Sequence, residues 1–346
     1  MLRLAHSVTL SPGPAYPLHV TANCYRAEGN ARGDASAVTL ILLHSAGFHK
    51  EMFEPTIAEL FSLAGRGGAH HRSPAQIAIR EAWAVECPTH GYSAVLNEDI
   101  LRSPEWDEKF CAEEYAKAAY AILTLPKSAG GAELDPVAHN FVGIGHSMGS
   151  VSMIYLAARI PIKSLFLIEP TLCAGRRAQL DQLQEKLFRR SYERKDTWYT
   201  REIAEAYLKS QAPNWSSEVL ALFVKHALRP HQAAQHKVPY NGVTLACSRN
   251  QEAVLYRAVD DAAEYILDSL STTIPIHLIF GEIANIMPLF IQEAIAQVPT
   301  RQFASITRVE GATHLVPQEK PELLAQMVYN LLMNDARSDS RRRAML

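Results

Sequence analysis

Long apolar runs are missing from this chain: no stretch reaches the roughly 18 consecutive apolar residues of a membrane-crossing helix. The opening MLRLAHSVTLSPGP holds one early Arg and no sustained apolar segment, so it does not read as a secretory signal. Cysteine is sparse and odd in number. Cys24, Cys87, Cys111, Cys173 and Cys247 contain no CxxC pair, which argues against a disulfide framework and for reduced thiols. Charge of one sign is also lacking. The formal net charge is -2 with 20% charged residues, and no basic stripe marks a nucleic-acid partner. There is no H-E-x-x-H and no compact carboxylate cluster along the chain, so no metal site is expected. G-x-G-x-x-G is absent too, and neither a nicotinamide nor a flavin cofactor is implied.

What is present is enough apolar material, 48% of 346 residues, for a large buried core. An alternating segment near 18–25 suggests an early strand. The near-continuous apolar runs at 37–45, 81–88, 138–145, 163–170 and 275–281 read as parallel strands buried on both faces, and a last strand is expected at 303–311. Helical patterns lie between several of them, at 113–125 and after Ser147. This alternation predicts an α/β fold with an open, mostly parallel sheet and helices on both sides.

One interval breaks the rhythm. Residues 171–274 carry mainly helical patterns interrupted by Pro213, Pro230 and Pro239, and are expected to form a helical cap over the C-terminal ends of the strands. The expected organisation is therefore a core of 1–170 and 275–334, a cap of 171–274, and a flexible basic tail of 335–346 containing Arg341, Arg342 and Arg343.

The sharpest local signal is GIGHSMGS. Gly145, Ser147 and Gly149 form G-x-S-x-G after an apolar strand and before an amphipathic helix, the setting of a nucleophile elbow. A serine there projects above the sheet at a helix N-terminus, where developing negative charge is favoured. It needs a base. His314, late in the chain and just before a Pro-started helix, is the candidate; His44, His49 and His90 are weighed against it. His146, inside the elbow, should point away and serve as a structural or substrate-lining residue. The N–H groups of Met148 and Ala46 are the expected oxyanion donors, with His44 and Ser45 shaping that loop.

The acid is less direct. The loop GEIANIMP, before the last strand, offers Ala284 where a carboxylate is expected, with neutral Asn285 beside it. Glu169, ending the strand after the serine strand, ranks first, and Glu282 is the alternative acid.

Together, HSAGF (44–48), PTHGYS (88–93), GHSMG (145–149), FGEIANIMP (280–288) and GATHLVPQEKPELL (311–324) resemble the α/β-hydrolase superfamily, in its serine branch. PTHGYS keeps only the His90-Gly91-x-Ser93 part of the family's arginine-containing motif, and FGEIANIMP keeps Gly281 and Pro288 without the aspartate. The resemblance implies the α/β-hydrolase fold with a cap between the sixth and seventh core strands. Some members place the acid after the strand that follows the nucleophile, where Glu169 stands. The pattern is also similar to fungal proteins of toxin or secondary-metabolite pathways, including peroxisomal acyl hydrolases.

The expected function is hydrolysis of a carboxylic ester or thioester with an apolar portion. Alternatives with the same Ser and His are carbon–carbon bond hydrolysis and acyl transfer to an alcohol; a third is a catalytically silent binding protein, supported by Ala284. The apolar portion is inferred from cap aromatics: Phe188, Tyr192, Trp198, Tyr199, Tyr207, Trp215 and Phe223. The expected partner is a small-molecule substrate, in a monomer or homodimer, without a resident cofactor. The expected location is cytoplasmic, with a peroxisomal alternative because Ala344-Met345-Leu346 loosely resembles a peroxisomal address.

Overall fold

A computed structural model describes residues 2–27, 34–66, 77–107, 110–126, 134–235, 240–257 and 261–345. Pro239 lies outside them, as do the side chains of Arg341, Arg342 and Arg343. Eight strands form the central sheet: β1 (Leu2–Leu10), β2 (Val20–Ala27), β3 (Val38–Leu43), β4 (Ile79–Val85), β5 (Phe141–His146), β6 (Ser164–Ile168), β10 (Ile276–Gly281) and β11 (Ser305–Val309). Between β6 and β10 lie three short cap strands, β7 (Thr197–Trp198), β8 (Leu228–Pro230) and β9 (Val243–Leu245). The large sheet runs β1-β2-β4-β3-β5-β6-β10-β11. β1 and β2 are antiparallel to their neighbours, and every pairing from β4 to β11 is parallel. This is the α/β-hydrolase fold.

The inner strands are buried at every position because helices cover both faces. Alternate residues of one strand serve opposite cores. Ile41 and Leu43 pack with the helices Ala112–Leu123 and Met148–Ala157, while Leu40 and Leu42 pack with Glu54–Gly65 and the C-terminal helix. β11, at the edge, alternates instead. β1 is a strand the sequence reading missed. Its LRLAHSVTL has the alternation of a half-exposed edge strand, and it pairs along β2 from Leu2↔Ala27 to Leu10↔Val20.

The cap follows the sixth core strand and precedes the seventh, as expected. It is less purely helical than its sequence suggests, because β7, β9 and β8 form an antiparallel sheet with an apolar centre of its own around Trp198, Phe223 and Leu245. Strands of two and three residues leave no periodicity to read. The helix Ala262–Leu270 packs through Ala263 and Leu267 into the core beside Met148–Ala157, and so acts as the crossover back to the sheet.

The tail expected from 335 onward is a helical extension: the final helix spans Pro321–Met345. Nothing in its last turns breaks a helix, since 335–345 holds no Gly or Pro. Asp335 also anchors it, accepting from Ser164 Oγ at 2.8 Å and from His277 Nε2 at 3.1 Å. Among the described residues, no helix is long and apolar enough to cross a membrane.

Candidate functional site

β5 delivers Ser147. His146 is level with Ile168 of β6, and the Ser147 N–H donates to the Ile168 carbonyl at 2.8 Å. Ser147 has φ 53° and ψ -117°, a conformation in which a side chain is strained. The flanking glycines make the turn possible by close approach. A Cβ on Gly145 would lie 2.5 Å from the Gly149 carbonyl oxygen, and one on Gly149 would lie 2.2 Å from that of Leu43. Backbone cannot yield as a side-chain tip can, so Gly149→Ala should lose about 3 kcal/mol or more of stability in urea unfolding. A loss under about 1 kcal/mol would mean that the turn is looser than this packing implies.

His314 enters on the loop after β11. Its Nε2 lies 3.0 Å from Ser147 Oγ and its Nδ1 lies 2.9 Å from Glu169 Oε2. The loop is tied on both sides: Asn285 Oδ1 accepts the His314 N–H at 3.0 Å, and His146 Nε2 donates to the His314 carbonyl at 2.9 Å. His146 is thus a support, not a lining residue of the cavity beside Ser147.

Glu169 is completely buried. Its Oε1 accepts the Gly281 N–H at 2.7 Å and faces Gln292 Nε2 at 3.4 Å, leaving Oε2 for the imidazole. A carboxylate there accepts a hydrogen bond from Nδ1–H, which keeps the proton on Nδ1 and leaves Nε2 bare toward the serine hydroxyl. Glu282 is exposed, and its Oε2 accepts the Gly311 N–H at 2.8 Å in the turn that precedes His314. Ala284 is exposed as well. Glu282→Gln keeps an acceptor for Gly311 and should leave kcat/KM on an activated ester within about twofold of wild type. A loss of tenfold or more would move the acid assignment toward Glu282.

Ala46 and Met148 line the same cavity as Ser147. Beneath Ala46 lies a buried polar network that the sequence reading did not anticipate. The Gly47 N–H donates to His90 Nε2 at 2.8 Å, and His90 Nδ1 is 2.9 Å from Thr89 Oγ1. Burial pushes His90 well below the ordinary histidine range, so the ring is neutral, with Nδ1–H donating to Thr89. His44 donates from Nδ1 to the Ser45 carbonyl and accepts the Cys87 N–H at Nε2. Lys50 Nζ is 2.9 Å from Glu86 and 2.8 Å from Glu51. Burial alone favours the neutral acids, but the facing cation prevails at Glu86, and at Glu51 His49 and Lys50 do so together; both carboxyls fall below their usual range. The available signal was charge out of place: Glu86 interrupts the apolar run at 81–88.

These groups make stability depend on pH. Burial, then His314, lowers His146 to about 3. In an unfolded chain a histidine titrates near 6.5. Between those values the unfolded chain binds more protons, so stability falls as pH drops from about 6.5. His90 acts in the same direction. Thermal melts should shift down by a few degrees between pH 7 and about pH 5. A flat profile would show that these rings are not held neutral.

The cavity beside Ser147 is narrow, with a volume of about 40 Å³. Its wall is mostly aliphatic, from Leu180, Leu183, Leu187 and Leu255 of the cap and Val151 of the core, with Tyr155 and Tyr256 beside them. None of the seven cap aromatics singled out in the sequence lines it. Trp198 and Phe223 fill the centre of the cap, Trp215 and Tyr207 pack against them, and Tyr199 is exposed. Those seven aromatics are therefore the wrong carriers of the expected apolar character, which falls to the leucines and to Tyr256 instead. The fold also gathers one acidic group the linear chain did not reveal. Cys173, Asp261 and Glu264 bring ligand atoms within 4.8 Å of one another. Glu264 is already engaged, accepting the N–H groups of Cys173 and Ala174 and pairing with Arg301.

A model described as the alpha/beta hydrolase family matches residues 40–327. Among curated relatives, abhydrolase domain-containing protein AKT2 of Alternaria alternata is 33% identical over 120 residues, covering 33% of this chain and 43% of that protein. ACTT2-1 from the same organism is 30% identical over 118 residues, with the same coverage. The match thus spans less than half the length of these relatives. Among solved structures, the peroxisomal alpha-beta-hydrolase Lpx1 of Saccharomyces cerevisiae superposes with a TM-score of 0.72 at 19% identity, covering 97% of this chain and 89% of that one. An esterase of Mycobacterium tuberculosis superposes with a TM-score of 0.63 at 19% identity, covering 95% and 92%. At these identities the structural likeness is one of fold.

Proposed function

The chain belongs to the alpha/beta hydrolase family, and on that premise we propose that it is a serine hydrolase cleaving a carboxylic ester or thioester with an apolar acyl portion. The observation that carries this reading is the run of hydrogen bonds from Ser147 through His314 to Glu169, opening on a mostly apolar cavity.

In this mechanism Ser147 Oγ attacks the acyl carbon as His314 Nε2 takes its proton. The carbonyl oxygen becomes an oxyanion, held by the N–H groups of Ala46 and Met148 and by the N-terminus of the helix Met148–Ala157. His314 then donates the proton to the leaving alkoxide or thiolate as the carbon–oxygen or carbon–sulfur bond breaks. A water, deprotonated by the same nitrogen, attacks the acyl-enzyme, and return of the proton to Ser147 releases the acid. Glu169 stabilises the imidazolium at each stage and stays ionised.

A fluorophosphonate probe tests the proposal. It should label the folded protein with one adduct, located at Ser147 by peptide mass, and labelling should be lost in Ser147→Ala and strongly reduced in His314→Ala. Folded wild-type protein that takes no label would favour a silent binding scaffold.

A further inference from the structure

The helix Arg177–Glu193 turns one face to the Ser147 cavity, and Leu180, Leu183, Gln184 and Leu187 on that face all line it. Their spacing of three and four residues is that of a single helical stripe. Three members are leucine and one is a carboxamide. Gln184 is only 9% exposed, and among the described residues its amide makes no hydrogen bond. The amide opens onto the cavity, and holding it against a mostly apolar wall costs desolvation that a fourth leucine would avoid. The group therefore awaits a partner from the cavity itself.

The lining also constrains what that partner is. The described lining contains no Lys or Arg, and Glu113 is its charged residue. A second carboxylate on the substrate would meet a negative group and no cation. A neutral hydroxyl or carbonyl fits, since a carboxamide both donates and accepts. The remaining wall of Leu180, Leu183, Leu187 and Leu255 suits methylene groups.

We propose that Gln184 selects an oxygen-bearing acyl group: an otherwise apolar chain with one hydroxyl or keto oxygen that hydrogen-bonds to its amide. This inference rests on the serine-hydrolase reading above, in which the acyl group occupies the cavity beside Ser147.

The test measures the rate at which Ser147 is labelled by medium-chain alkyl fluorophosphonates, either unsubstituted or carrying a single hydroxyl or keto group at successive carbons. At least one oxygenated isomer should label wild type about tenfold faster than the parent. In Gln184→Leu that ratio should fall to about one or below, and Gln184→Met, closer in shape, should behave likewise if the leucine variant folds poorly. The ratio is internal to each protein, so a general loss of stability or of serine reactivity leaves it unmoved. Equal labelling by every isomer in wild type, or a preference that survives in the variants, overturns the role of Gln184 while leaving the hydrolase reading standing. No labelling of folded wild type by any member overturns both.

Discussion

Ser147→Ala should lower kcat/KM on an activated ester by roughly 10⁵-fold and leave the melting temperature close to that of wild type. The change removes one oxygen from a residue whose backbone is held independently, through its N–H to Ile168 and through the two glycines packed around the turn. On the proposed mechanism, what remains is the cavity, the imidazole and the Ala46 and Met148 N–H groups, enough for the modest residual rate that positioning and oxyanion binding supply. Initial rates over a range of enzyme concentrations, with a thermal melt of the same sample, would decide it. A folded variant retaining a tenth of wild-type activity would remove the serine from the mechanism.

Glu169→Gln should cost roughly 10⁴-fold in kcat/KM, more than its single-atom change suggests. The side chain has two neighbours with fixed demands. The Gly281 N–H requires an acceptor, so the new amide must turn its oxygen there. Its NH₂ then faces His314 Nδ1, which must become the bare nitrogen. The proton moves to Nε2, the atom that has to receive the Ser147 proton. The substitution thus sets the wrong tautomer without disturbing the packing. Glu169→Gln and Glu282→Gln measured side by side give the contrast, and equal activity of the two variants would refute the assignment of the acid.

The parts of the site that were legible in sequence are those under hard steric or chemical constraint. Gly145 and Gly149 are legible because backbone lies where their side chains would be. Ala284 drew attention to Glu169 by leaving the usual acid position without a carboxylate, and the pairing of β5 with β6 brings Glu169 beside His314. The inner strands were legible because burial on both faces writes an unbroken apolar run. Features that depend on tertiary partners were not. Nothing in LDQLQEKLF separates Gln184, facing a cavity, from Gln182 on the outer side of the same helix. The Lys50–Glu86 pair joins residues 36 positions apart, and Glu51 shares the same ammonium, a meeting that no local stretch of sequence displays. The cap sheet is made of strands too short to leave a pattern, and the final helix was cut short because a basic, polar composition reads as tail even where Asp335 is anchored to His277 and Ser164.

The alignment of His146 with Ile168 has a further meaning for how such a molecule can change over time. Ser147 and Glu169 ride on adjoining strands, so their separation is inherited from the spacing of the sheet. Ala46 is secured from below by groups that never meet the cap cavity. The leucine and Gln184 side of the cavity, by contrast, is a helix lying within the insertion between β6 and β10. Substitutions there can retune what is accepted while the reacting atoms keep their places. On the proposed reading, chemistry and taste are separately heritable in this fold, and a lineage can acquire a new diet without relearning how to cut.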